Sequence, residues 1–248
     1  MEKNDRGFEF LVYATLGIAP KEVYDKNVES YKETYGTDDY DNYCILMCAQ
    51  RAYRDLNRTL TMIDKKGDNS EFSKGISKKL AKVIYDNYKQ NGISYTKSEA
   101  FNLYNDNESI KSLVERYLDE TTGSIEKEAW KRKFHYGQYQ KWVNMTFKYM
   151  TVIGIIDNAD EKELDIPLDS YVMESMSDKG VKFPTKSRKE EKDTYSEYNS
   201  VKWSRLTKTE YDSIVESYKS IDEIKDNPME WEHNSWIIIA EKKKKIIK

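Results

Sequence analysis

Residues 135–150 read HYGQYQKWVNMTFKYM. Trp142, Val143, Met145, Phe147, Tyr149 and Met150 extend almost all the way round a helix, which predicts a central, buried element from about Gln140 to Gly154. Lys141, Asn144 and Lys148 leave one narrow polar stripe at spacings of three and four. On a buried helix such a stripe must face a cleft, water or a partner. Lys141 falls in the expected first turn, where the helix dipole and partial burial both disfavour a cation. A lysine held neutral is a nucleophile, and lysines so placed form Schiff bases with carbonyl carbons. Gly137, four residues earlier, permits a tight turn whose N–H groups can hold a phosphate. Lys131, Arg132 and Lys133 would add positive charge beside that turn.

The segment that follows supplies a counterpart. In IPLDSYVMESM (166–176), Pro167 stiffens the approach and Asp169 or Ser170 is a natural N-cap for a helix over 170–177. Only one helix and one loop separate Lys141 from Asp169, so an antiparallel return brings the start of the second helix beside the first.

Outward from this pair the chain reads as helices. In 40–63, Ile45, Ala49, Ala52, Tyr53, Leu56, Leu60 and Ile63 share one face, with Arg51, Arg54 and Arg58 on the other. Further helices are expected over 21–35, 74–90, 97–119, a short basic stretch at 125–134, 207–221 and from Pro228 onward. Thr207 with Glu210 has the spacing of a capping box. The charged stretch at about 178–200 reads as a long loop or a small β excursion. The expected fold is therefore all-α, one domain over 1–248.

Composition narrows the classes. In 248 residues, 20 Tyr and 5 Trp argue against disorder, and 10 Gly with 4 Pro argue against a turn-rich all-β chain. A net charge of −3 gives no global field toward nucleic acid, so any such contact must be local. Cys44 and Cys48, one helical turn apart, are poorly placed for a disulfide and suit a reducing, cytoplasmic setting. The start shows no secretory pattern, and WIIIA near the end is too short to span a bilayer. Phosphate-loop, dinucleotide, zinc-protease and serine-elbow motifs are absent. His135 and His233 lie far apart, so no histidine metal site is expected.

Gly137-x-x-x-Lys141 opening a helix, followed by Pro167-x-Asp169 at the next helix start, resembles the helix–hairpin–helix DNA glycosylase superfamily. The chain is most similar to its archaeal-type 8-oxoguanine glycosylases. Gln140-Lys141 with Lys148 one heptad on, Ile166-Pro167-Leu168-Asp169, and PMEWEHNSWIIIA at 228–240 match that group's pattern. The likeness covers about 130–176, and more loosely 228–240. Tyr139 stands where the family hairpin has its second glycine. The acidic residue that helps the archaeal group recognise the oxidised base falls near Asn234.

The resemblance implies a two-lobed helical bundle with a cleft lined by 135–148 and 166–176. It implies a bifunctional DNA glycosylase/AP lyase that excises an oxidised or modified purine such as 8-oxoguanine from an extruded nucleotide. Lys141 would attack C1′, and Asp169 would steady the developing positive charge and help activate the amine. Gly137, Gln140, Lys131, Arg132, Lys133, Asn144 and Lys148 are candidate DNA contacts. Trp231, Glu232, Asn234 and Trp236 are candidates for the base pocket. The expected partner of this monomer is double-stranded DNA with a modified base. No metal, organic cofactor or membrane is implied. Two other readings stay open: a non-catalytic nucleic-acid-binding relative, and a protein-interaction domain in which Lys141 and Asp169 form only a structural ion pair.

Overall fold

The structure, a computed structural model, describes residues 5–57, 70–105, 109–122, 133–184, 195–196 and 201–246. Its helices in chain order are α1 (Asp5–Leu16), α2 (Lys21–Asp25), α3 (Val28–Tyr35), α4 (Tyr40–Asn57), α5 (Ser70–Asn102) and α6 (Ile110–Thr122). They continue with α7 (Tyr136–Val152), α8 (Asn158–Glu161), α9 (Ser170–Asp178), α10 (Lys208–Lys219), α11 (Asp222–Lys225) and α12 (Pro228–Ile246). Among the described residues, extended pairing is confined to β1 (Phe183–Pro184), antiparallel to β2 (Tyr195–Ser196). The expected all-α class is therefore observed, and the charged stretch carries the small β excursion.

The centre is α4 packed between α5 and α7. Every residue from Tyr43 to Ala49 is buried, as are Ala52, Tyr53 and Leu56 on the face expected from their spacing. Trp142, Val143, Phe147 and Met150 on α7 are fully buried too, each contributing about 1.5–3 kcal/mol through burial. The Trp142 indole N–H donates to the Ala49 carbonyl at 2.8 Å, which satisfies the one polar atom this large side chain brings into the core. Cys44 and Cys48 are free and buried in the same layer. Burial pushes the Cys44 thiol up to about 12 and raises Cys48 well above its ordinary value, so both are packing residues.

Several boundaries differ from those expected. The Asn91-Gly92 signal marks a bend rather than an end: Gly92 takes φ 75° and ψ 174°, and the helix resumes beyond it. The 97–119 segment, expected as one helix, is instead the end of α5 and α6, with a turn between them. The 21–35 segment is likewise α2 and α3. Of the basic helix expected at 125–134, only Lys133 and Phe134 are described, and they are not helical. Leu60 and Ile63 lie outside the described residues. The Thr207 capping box forms as its spacing predicts: Thr207 N–H donates to the Glu210 carboxylate at 2.7 Å, and Glu210 N–H donates to Thr207 Oγ1 at 3.3 Å.

Candidate active site

Helix α7 begins at Tyr136, a turn earlier than expected. The Gln138 side chain accepts from His135 N–H at 3.0 Å and closes this end. Gly137 is thus inside the first turn and Lys141 in the second, beyond most of the dipole's reach. The phosphate-binding role expected of Gly137 is not what the geometry provides. Its N–H donates to the Leu206 carbonyl at 2.9 Å. A Cβ built on it would lie 1.9 Å from the Trp203 carbonyl oxygen and 2.9 Å from Leu206 N. The glycine is needed because a second segment, the 3-10 turn Trp203–Arg205 and Leu206, lies directly on the helix. Tyr139, at the family's second glycine, is fully buried and donates its hydroxyl to the Ala100 carbonyl, so it points into the core and ties α7 to α5.

Lys141 and Asp169 meet. Nζ lies 2.8 Å from Asp169 Oδ2, with 13% of the lysine side chain and 17% of the aspartate side chain exposed. The other carboxylate oxygen, Oδ1, accepts from Tyr171 N–H at 2.9 Å and Val172 N–H at 3.0 Å, so of the two expected caps, Asp169 and Ser170, it is Asp169 that caps α9. Burial by itself would raise this carboxyl. The Lys141 ammonium and the two N–H groups outweigh it and hold Asp169 below the usual carboxylate range. The pair is therefore fixed, desolvated on most sides and still open to solvent.

What fixes it is the polar stripe of α7. Gln140 Nε2 donates to the Leu168 carbonyl at 3.1 Å and to the Gly137 carbonyl at 3.0 Å, while its oxygen accepts from Leu168 N–H at 3.2 Å. Asn144 Nδ2 donates to the Tyr211 hydroxyl at 3.0 Å, Gln140 Oε1 at 3.2 Å and the Ile166 carbonyl at 3.4 Å. Both side chains are buried. They clamp the Ile166–Leu168 backbone and are closed to a ligand, which corrects their assignment as DNA contacts. One residue before this segment, Asp165 is held by Lys219 at 2.7 Å and Lys97 at 3.1 Å.

The remaining lysine of the stripe has its own acid. Lys148 pairs with Glu232 of α12, whose side chain is only 2% exposed. Burial raises the Glu232 carboxyl; Lys148 counters this in part and the Asp169 charge adds to it. Two carboxyls that sense each other are thus driven in opposite directions, Asp169 down and Glu232 up. His233 beside them is pushed down to about 4 by burial and by Lys148. Trp236 is 40% exposed, its ring 5.4 Å from that of Tyr171, over which Lys243 Nζ sits at 4.2 Å.

Other expected contacts fall elsewhere. Trp231 is buried and belongs to the core cluster, so it offers no stacking face. Asn234 and Lys133 are exposed. Lys131, Arg132 and Arg58 lie outside the described residues. Arg51 pairs with Asp55 at 3.3 Å, as a helix face does. Reading by sequence missed Trp203, whose ring centroid lies 5.0 Å from Lys141 Nζ. Its only local signal was an aromatic set between Lys202 and Arg205 at the end of a charged stretch. Among the described residues, no three His, Cys, Asp or Glu side chains converge to hold a metal ion. No helix there is long and apolar enough to cross a membrane. No family model, curated protein or solved structure matches the chain.

Proposed function

We propose that the protein is a DNA glycosylase/AP lyase of the helix–hairpin–helix type, acting on a modified purine through Lys141. The observation that carries this reading is the 2.8 Å Lys141–Asp169 pair, partly buried yet open, with the carboxylate locked by a helix cap. Two groups that must act at one sugar carbon need this convergence. The Lys141 amine, its ammonium proton lost to solvent, bonds to C1′ as the bond to the base breaks, and the ionised Asp169 steadies the positive charge that develops. The base leaves with the bonding electrons and is protonated. Loss of the nitrogen proton and opening of the sugar ring give the iminium. Removal of a C2′ proton then expels the 3′ phosphate. Exposed Trp236 offers a stacking face for the extruded base, whereas Glu232, 2% exposed and paired with Lys148, is closed to it.

One observation favours the rival reading of a structural ion pair. The Gly137 N–H, which a DNA-binding hairpin would present to phosphate, is already bonded to Leu206. The test is borohydride trapping with a duplex carrying an abasic site or 8-oxoguanine. Wild-type protein is expected to give a covalent adduct, and Lys141→Ala none. Asp169→Asn is expected to slow trapping at least a hundredfold, about 2.7 kcal/mol. Duplex binding without an adduct leaves a non-catalytic DNA-binding protein. Absence of both leaves the structural pair.

A further inference from the structure

Among the described residues, Lys141 has a neighbour besides Asp169. Asp169 reaches its ammonium from the start of α9, and the Trp203 ring faces it from the turn before α10, its centroid 5.0 Å from Nζ. That is within the range over which an aromatic face attracts a cation. The backbone sets the ring's place. Leu206 O accepts from Gly137 N–H at 2.9 Å, Arg205 N–H donates to the Lys202 carbonyl at 2.8 Å, and Leu206 N–H to the Trp203 carbonyl at 3.3 Å. The Trp203 carbonyl oxygen fills the space that a side chain at 137 would take. The turn therefore cannot slide along α7, and the half-buried indole is carried with it. A planar group entering between ring and amine needs about 7 Å, two van der Waals contacts, so no base stacks on this face.

We propose that Trp203 is a positioning residue for Lys141: its ring holds the amine against Asp169 and leaves it one direction of approach. The role deepens the reading of Lys141 as a nucleophile and rests on it. A flexible four-carbon side chain has many rotamers, and a nucleophile confined to one of them meets C1′ without first paying that entropy. The ring and the carboxylate together provide the confinement.

The test uses full-length protein and two substitutions. Trp203→Leu removes the aromatic face but keeps an apolar side chain, whereas Trp203→Phe keeps a ring. Thermal melts establish that both fold. The first readout needs no DNA: acylation of Lys141 by a small amine-reactive reagent at pH 8, followed by mass spectrometry of its peptide. Labelling is expected to rise severalfold in Trp203→Leu and to stay at the wild-type level in Trp203→Phe, with exposed Lys133 as an unchanged control. The second is borohydride trapping on an abasic duplex, where Trp203→Leu is expected to lower the limiting rate about tenfold at unchanged duplex affinity, and Trp203→Phe to restore it. Unchanged labelling in Trp203→Leu overturns the contact. Raised labelling with an unchanged trapping rate overturns the positioning role. If wild-type protein forms no adduct while labelling rises as expected, the Schiff-base reading fails and the catalytic part of this role with it; the contact itself stands.

Discussion

At the residue scale, Gly137 and Lys141 carry opposite lessons. The lysine is where its spacing placed it, beside Asp169 at the start of α9. The glycine was legible as a position needing no side chain, but the reason differs. Backbone from residues 203–206 lies against it, and nothing near 137 in the chain announces a neighbour so distant in sequence. Gly137→Ala forces the added methyl into the Trp203 carbonyl. The expected result, read by denaturant unfolding, is a loss of about 3 kcal/mol, since backbone on both sides must move. Trp203 should shift off Lys141 in the same variant, raising Lys141 acylation as Trp203→Leu does.

At the scale of elements, the site is a junction of α7 and the 165–169 loop. Asn144 was legible as a polar residue on an apolar helix, from which a cleft-facing role followed, and Gln140 only through the family resemblance. They are instead a substitute for regular structure: the loop lacks helix or sheet partners, so its Ile166 and Leu168 backbone groups are satisfied by side chains. Gln140→Ala would leave the Leu168 N–H and carbonyl buried without these partners. It is expected to cost about 2–3 kcal/mol. Hydrogen exchange at the Leu168 amide should speed up, and trapping should slow more than tenfold although Lys141 and Asp169 are untouched. Tyr211→Phe removes one acceptor of Asn144 and is expected to cost about 1 kcal/mol.

At the scale of the whole molecule, the partly buried charges set how stability depends on pH. His233, pushed down to about 4, stays neutral in the fold where an unfolded chain would take up a proton at about 6.5. The unfolded state then binds more protons, so stability falls as pH drops from about 6.5 to about 4, by on the order of 1–2 kcal/mol once solvent screening of this partly exposed ring is allowed for. Glu232 works the other way: its raised carboxyl binds a proton more readily in the fold, which offsets part of that loss. Asp165 and Asp169, both lowered, contribute stability that is present above about 3.9 and is lost as pH falls further. Melting temperature against pH should therefore show two limbs. His233→Gln is expected to flatten the upper limb and leave the one below about pH 4 in place; an unchanged upper limb would sink this assignment.

The sequence by itself determined the all-α class, the apolar face of α4 and the buried character of α7, a cap at Thr207 and one at Asp169 or Ser170, and the order that brings Lys141 and Asp169 together. These depend on local propensity, on periodicity, and on a short antiparallel return, all of which act over one or two helices. Only the tertiary structure decided what each polar group is for. It gave Lys148 to Glu232, gave Gln140 and Asn144 to the loop, put the Trp203 ring over Lys141, and bonded the Gly137 N–H to Leu206. Those assignments depend on which distant segments meet. Packing of the apolar faces settles that, and the hydrogen bonds and ion pairs then form wherever the packing has brought their partners within reach.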